Sequence, residues 1–179
     1  MGISVNIQGA ELQGIFAHIQ KINDPANRER LLDLIGAEVE SQTHRRIRDE
    51  KTAPDGSAWP EWSTSYAATR HGNQSLLMGG GELDDSIQYL VRGKKVHVGS
   101  PLAYAAVHQE GFDGAVNISA HNRLIRQAFG KALKSPVWQT VKPHTRQMQT
   151  PQREYLGLST ENQQDLQALI GDFYGDILR

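Results

Sequence analysis

The chain has 179 residues, of which 38% are hydrophobic and 22% charged, enough for one compact domain, or a domain with an appended element, and too little for two full domains. Nineteen Lys and Arg stand against twenty Asp and Glu, a net charge of −1, so no global field selects a nucleic acid or a membrane surface as partner. The absence of cysteine excludes disulfide scaffolds, thiolate zinc sites, iron–sulfur clusters and cysteine nucleophiles together.

The N-terminus lacks a basic segment followed by an apolar core, and no apolar run approaches the roughly 18 to 20 residues that span a bilayer. A soluble protein made in the cytosol is the expectation. From Ala10 to Ile22, Leu12, Ile15, Phe16, Ile19 and Ile22 recur at spacings of three and four and predict an amphipathic helix. Asn23-Asp24-Pro25 ends it and opens a second, with Asp24 as cap and Pro25 at the first helical position. That helix is expected to run to about Asp49 on a buried stripe of Leu31, Leu32, Ile35, Val39 and Ile47. Arg45, Arg46 and Arg48 crowd its end, where cations complement the helix dipole, and read as a solvated last turn.

Pro54-Asp55-Gly56 is a turn signal, and the Trp59-Pro60-Glu61-Trp62 that follows needs cover, so the tryptophans are expected to clamp this loop onto the body. A short helix over 63–70, a glycine break at Gly79-Gly80-Gly81 and a helical turn over 82–87 come next. Alternation over 88–91 and 96–98 around Arg92-Gly93-Lys94-Lys95 predicts a β-hairpin, whereas 104–111 fits either a short helix or a strand. At the far end a helix bears Leu166, Leu169, Ile170, Phe173 and Ile177, and Thr160 with Gln163 matches a capping box.

Charge is segregated. The stretch 115–153 holds Arg123, Arg126, Lys131, Lys134, Lys142, Arg146 and Arg153 and no carboxylate, a balance of +7 that leaves −8 on the rest. Within it Ile118-Ser-Ala-His121-Asn-Arg123 is echoed by Val141-Lys-Pro-His144-Thr-Arg146. Two antiparallel strands of about 12 residues, at roughly 3.3 Å each, would reach about 40 Å and project from a small domain. A lone two-stranded ribbon is marginal in water, so such an arm implies a neighbouring molecule that completes it. Leu124, Ile125, Ala128, Phe129, Ala132 and Leu133 also repeat at helical spacing, and a disordered basic loop is the third alternative.

Motifs that carry chemistry are sparse. His108 and Glu110 lack the cysteines of a zinc deaminase, no His-Glu-x-x-His occurs, and His121 and His144 have cationic neighbours and no third ligand. Glu82, Asp84 and Asp85 after the glycine run disfavour phosphate there, and acidic residues at a helix start are the simpler reading.

The ordered signals Pro54-Asp55-Gly56-x-x-Trp59, Leu77-Met-Gly-Gly-Gly-Glu-Leu83-x-x-Ser86-Ile87, Val98-Gly99-Ser100, Tyr104-Ala105-x-x-His108-Gln109-x-Gly111 and Pro151-x-Arg153-x-Tyr155-Leu156-Gly157-Leu158-Ser159 resemble the phage virion-morphogenesis (tail-completion) family of Mu-like and P2-like tailed phages. The resemblance spans roughly residues 10 to 179. It implies a structural protein of the virion tail or neck, present in the host cytoplasm during assembly, with no catalytic residues and no cofactor. It also implies a homo-oligomeric ring, often a hexamer, whose partners are tail-tube and head–tail connector proteins. The expected fold is α+β: N-terminal helices and a C-terminal helix on a small antiparallel sheet, one domain over 1–179 with 115–150 as an inserted basic arm. Arg123, Arg126, Lys131, Lys134, Lys142 and Arg146 are the expected oligomer- or DNA-facing cations, and Leu124, Phe129, Trp138 and Val141 the apolar anchors. A DNA-binding module that uses the same cations on phosphates is the alternative, and the two coexist if the arm lines a DNA channel.

Overall fold

A computed structural model describes residues 9–70, 72, 74–128 and 131–179. It is an α+β fold. Helix α1 (Gly9–Asn23) leads into α2 (Pro25–Arg45), where the Asp24 carboxylate accepts from the Ala26 N–H at 2.9 Å and Pro25 begins the helix. The predicted continuation to Asp49 forms, but as a π-helical turn over Arg46–Glu50 that closes on Lys51 in the left-handed region (φ 56°). Of the predicted stripe, Leu31 and Ile47 are buried and Leu32, Ile35 and Val39 half-buried. On the apolar side of α1, Ile15 and Phe16 are 54% and 59% exposed.

Short helices α3 (Thr64–Ala67), α4 (Glu82–Asp85) and α5 (Ala105–Glu110) punctuate the middle of the chain, so the ambiguous 104–111 segment is helical. Strands β1 (Gln88–Arg92) and β2 (Lys95–Gly99) form the predicted hairpin around Gly93-Lys94 and pack on α2. Gly36 makes that approach possible, because a Cβ there would overlap the Tyr89 ring, whose hydroxyl donates to Asp33 Oδ1 at 2.8 Å.

Helix α6 (Thr160–Leu178) packs against α1 and α2. Its capping box sits one residue earlier than the sequence suggested. Ser159 Oγ accepts from the Asn162 N–H and Asn162 Oδ1 accepts from the Ser159 N–H, in place of Thr160 with Gln163. The core gathers Ile47, Trp59, Leu76, Leu83, Ile87, Ala105 and Tyr155, from the turn that ends α2, the tryptophan loop, the segments around α4 and α5, and the stretch before α6.

The basic stretch is a β-ribbon, and among the described residues of 119–134 the helical and irregular alternatives do not form. Strand β3 (Phe112–Ile118) pairs antiparallel with β6 (His144–Thr150), and β4 (His121–Ala128) with β5 (Lys131–Val141). The ladders are consecutive. Ile118 faces His144, Ser119-Ala120 and Lys142-Pro143 interrupt the pairing, and His121 faces Val141 beyond. Pro143 has no N–H to give a ladder, which accounts for the break.

Candidate functional site

The segments that suggested a family converge on one another in the body. Trp59 is 4% exposed, and its indole N–H donates to the Glu154 carbonyl at 3.0 Å. The expected clamp is therefore present, closed by the Asp55 carboxylate accepting from Ser57 N–H and Oγ. Arg153, 6% exposed, donates through Nε to the Pro60 carbonyl (2.8 Å) and through Nη2 to that of Glu61 (3.2 Å). The Gln109 amide oxygen accepts from the N–H groups of Tyr155 and Leu156, and its nitrogen donates to the Leu156 carbonyl. Tyr155 reaches the Ala105 carbonyl, and the Ser86 and Ser100 hydroxyls lie 2.7 Å apart. These polar side chains satisfy backbone groups of neighbouring loops, so their work is architectural.

One cationic reading changes. Arg46 is not solvated: it is 1% exposed and donates to the carbonyls of Tyr155 (3.1 Å) and Gly157 (2.7 Å) and to Asn162 Oδ1 (2.6 Å). Burial lowers its pKa from the ordinary guanidinium value, while the fork of donors still finds acceptors on three sides. Asp84 is one of the expected acidic residues of the first turn of α4, and it is also buried. Only 2% exposed, it holds His44 Nδ1 and Arg48 Nε, each at 2.7 Å, and so ties α4 to the end of α2. Lys51 donates to the carbonyls of Ile47 and Leu76, and burial lowers its pKa.

Beside the ribbon root lies a cleft of about 680 Å³ lined by Tyr66, Arg70, Gly80, Tyr104, His108 and Arg146. Burial first, and the Arg153 guanidinium second, push the His108 imidazole below its ordinary pKa. Among the described residues no group of three or more His, Asp or Glu side chains could hold a metal ion, and no helix is long and apolar enough to cross a membrane.

The ribbon is different in kind. Arg123, Arg126, Lys134, Lys142 and Arg146 are all exposed on it, and Lys131 begins β5. Leu124 pairs directly with Trp138 and so shares one face with it; Ile125 with Val137, and His121 with Val141, share the other. Leu124 is 36%, Val137 55% and Trp138 70% exposed, so apolar side chains emerge on both faces. Val141 is half-buried, and Phe129, the fourth expected anchor, lies outside the described residues. Beyond Ile125 the pairing skips to Gln127 opposite Ala132, which leaves Arg126 across from a bulge over 133–136 that contains the donor-less Pro136.

The sequence echo has a geometric meaning. Antiparallel pairing sets the β-branched residue of each copy against the histidine of the other, Ile118 with His144 and Val141 with His121. The relation extends outward: Thr140 donates to Asn122 Oδ1 (2.8 Å) as Thr145 donates to Asn117 Oδ1 (3.0 Å). Each imidazole Nδ1 lies 2.9 Å from the carbonyl two residues before it, Ser119 or Lys142. A local two-fold relation thus passes through the ladder break. The pairing required by a hairpin was encoded twice in the sequence.

A family model described as the phage virion morphogenesis family matches residues 7–173. No curated protein and no solved structure matches.

Proposed function

The chain belongs to the phage virion morphogenesis family, and from that premise we propose that it completes the phage tail or the head–tail junction as a closed homo-oligomeric ring, with the basic ribbon as the connector between subunits. One observation carries this reading: the ribbon presents Trp138 on one face and Val137 on the other, both more than half exposed, in a stretch without a single carboxylate. Burying such side chains is worth about 1.5 to 3 kcal/mol each, a gain open to the ribbon only against another molecule. A heterologous contact repeated around an axis closes a ring. The −8 balance of the remaining chain offers the complementary charge, which guides register and encounter more than it adds affinity.

The test is an oligomeric-state measurement on the full chain and on a shortened one. Ile118 and His144 are paired neighbours, so a two-residue turn can replace 119–143 without disturbing β3 and β6. Light scattering coupled to gel filtration should give a ring for the full chain and a folded monomer for the shortened one. A shortened chain that still assembles would remove the ribbon from the interface.

The exposure of Arg123, Arg126, Lys134, Lys142 and Arg146 favours a second use, contact with DNA phosphates where the ribbon faces a channel. Such binding falls steeply with salt, whereas an interface anchored by Trp138 and Leu124 does not.

A further inference from the structure

Resting on that ring reading, we propose that the ribbon tip of one copy docks in the groove between α2 and α6 of a second copy. The groove has a volume of about 580 Å³, within the range of pockets that take a drug-sized aromatic ligand. Its apolar lining includes Leu34, Leu169 and Phe173, with Leu34 still 45% exposed. Its charged lining is Glu38, Asp165, Asp172 and Asp176 against one cation, Arg30, which lies 5.7 Å above the Phe173 ring.

The tip has the opposite character. Trp138 and Leu124 form one apolar pair on a shared face, Arg126 follows two residues after Leu124 on the same side of β4, and Lys134 lies in the bulge opposite it, with no carboxylate between 115 and 153. Two other clefts of the body fit less well. The cleft at the ribbon root carries Arg70, Arg146 and Arg153 and would repel the tip, and the one beside Glu40 and Asp49 is also lined by Arg45 and Arg48 and lacks a large apolar side chain. A cleft lined by Trp62 and Phe112 with Glu61, Glu110 and Asp113 also joins apolar and acidic groups, but residues of β3 and β6, the ribbon's own root, form part of its wall. The α2–α6 groove lies between helices and carries four carboxylates. Trp138 enters it and supplies the binding energy, while Arg126 and Lys134 meet Asp165 and Asp172 and fix the register.

The experiment places the photoreactive aromatic p-benzoylphenylalanine at position 138 of the full chain and irradiates particles assembled from mixed light and isotopically heavy copies. Cross-links between light and heavy chains should map to segments 30–38 and 165–177. Cross-links to any other segment of the second copy would overturn the groove while leaving the ribbon as connector. An assembled particle with no such inter-copy link, or a chain that stays monomeric, would overturn both readings. Asp165→Arg with Asp172→Arg should lose the cross-link, and adding Arg126→Glu with Lys134→Glu should restore it. Cross-linking at the wild-type level in the reversed groove would exclude the carboxylates as the acceptor, provided that thermal melts show all variants folded.

Discussion

Arg46 and Asn162, 116 residues apart, share a hydrogen bond of 2.6 Å in which the buried guanidinium Nη2 donates to the side-chain oxygen that also caps α6. The end of α2 is thereby fastened to the start of α6, and the same arginine holds the Tyr155 and Gly157 carbonyls of the segment between. Arg46→Ala takes this donor from the Tyr155 and Gly157 carbonyls, at about 1 to 3 kcal/mol for each that water does not reach. Arg46→Lys should recover only part of the loss, because an ammonium lacks the planar fork. Thermal melts of both variants check this, and equal melting of wild type and Arg46→Ala would show that the network is dispensable.

Trp59 supports the opposite side of the same segment. Trp59→Ala should cost about 3 to 5 kcal/mol through the cavity left among Ile47, Leu83 and Tyr155. Trp59→Phe should cost less, since it keeps an aromatic ring while leaving the Glu154 carbonyl without the indole N–H. Denaturant unfolding measures both; a change within error for the alanine variant would mean that the loop is not clamped.

At Gly36 an added methyl group has nowhere to go except into the Tyr89 ring. Gly36→Ala should therefore destabilise by about 1 to 3 kcal/mol despite alanine's better helix propensity. Combining it with Tyr89→Leu should relieve part of that cost. A melting temperature that rises for the single variant would show that helix propensity outweighs the close contact.

Where the sequence could be read, the pattern was local. The ribbon was visible because its two halves repeat a β-branched residue, a histidine and an arginine at fixed spacing, and the pairing of Ile118 with His144 follows from that echo. The periodicity of α1 revealed a helix but not its environment: Ile15 and Phe16 keep their helical spacing and still face solvent. Arg46 was illegible because cations at a helix end look alike whether solvated or buried, and its acceptors come from residues more than a hundred positions later. The α6 cap was misplaced for a related reason. Thr160 with Gln163 and Ser159 with Asn162 fit the local pattern comparably, and the bond from Arg46 joins the second pair to the core. The α2–α6 groove carried no sequence signal, since it brings together side chains from two distant helices.

His108 gives the fold a pH dependence of fixed sign. Its folded-state pKa is lowered from the ordinary 6.5, first by burial and then by Arg153, so below that value the unfolded chain takes up a proton that the folded chain resists. The contribution is fully present above 6.5 and is lost as the pH falls from there through the lowered pKa. Melting temperatures of wild type and His108→Gln, followed from about pH 8 to about pH 5, should show the wild type declining more steeply. Parallel curves would mean that the imidazole ionises as freely in the fold as out of it.

Trp138 should behave in the opposite way to Trp59, because it is 70% exposed where Trp59 is 4%. Trp138→Ser removes a large apolar surface that the isolated chain leaves in water, so the unfolding free energy should move by no more than about 0.5 kcal/mol. Assembly should weaken by far more, as truncating a central aromatic anchor commonly costs 2 kcal/mol or more of association, about thirtyfold in the dissociation constant. Sedimentation at a series of protein concentrations gives the second quantity and a thermal melt the first. A variant that melts early while assembling normally would mean that Trp138 packs against its own subunit in solution, and the ribbon would then have no apolar surface left to offer a neighbour on that face.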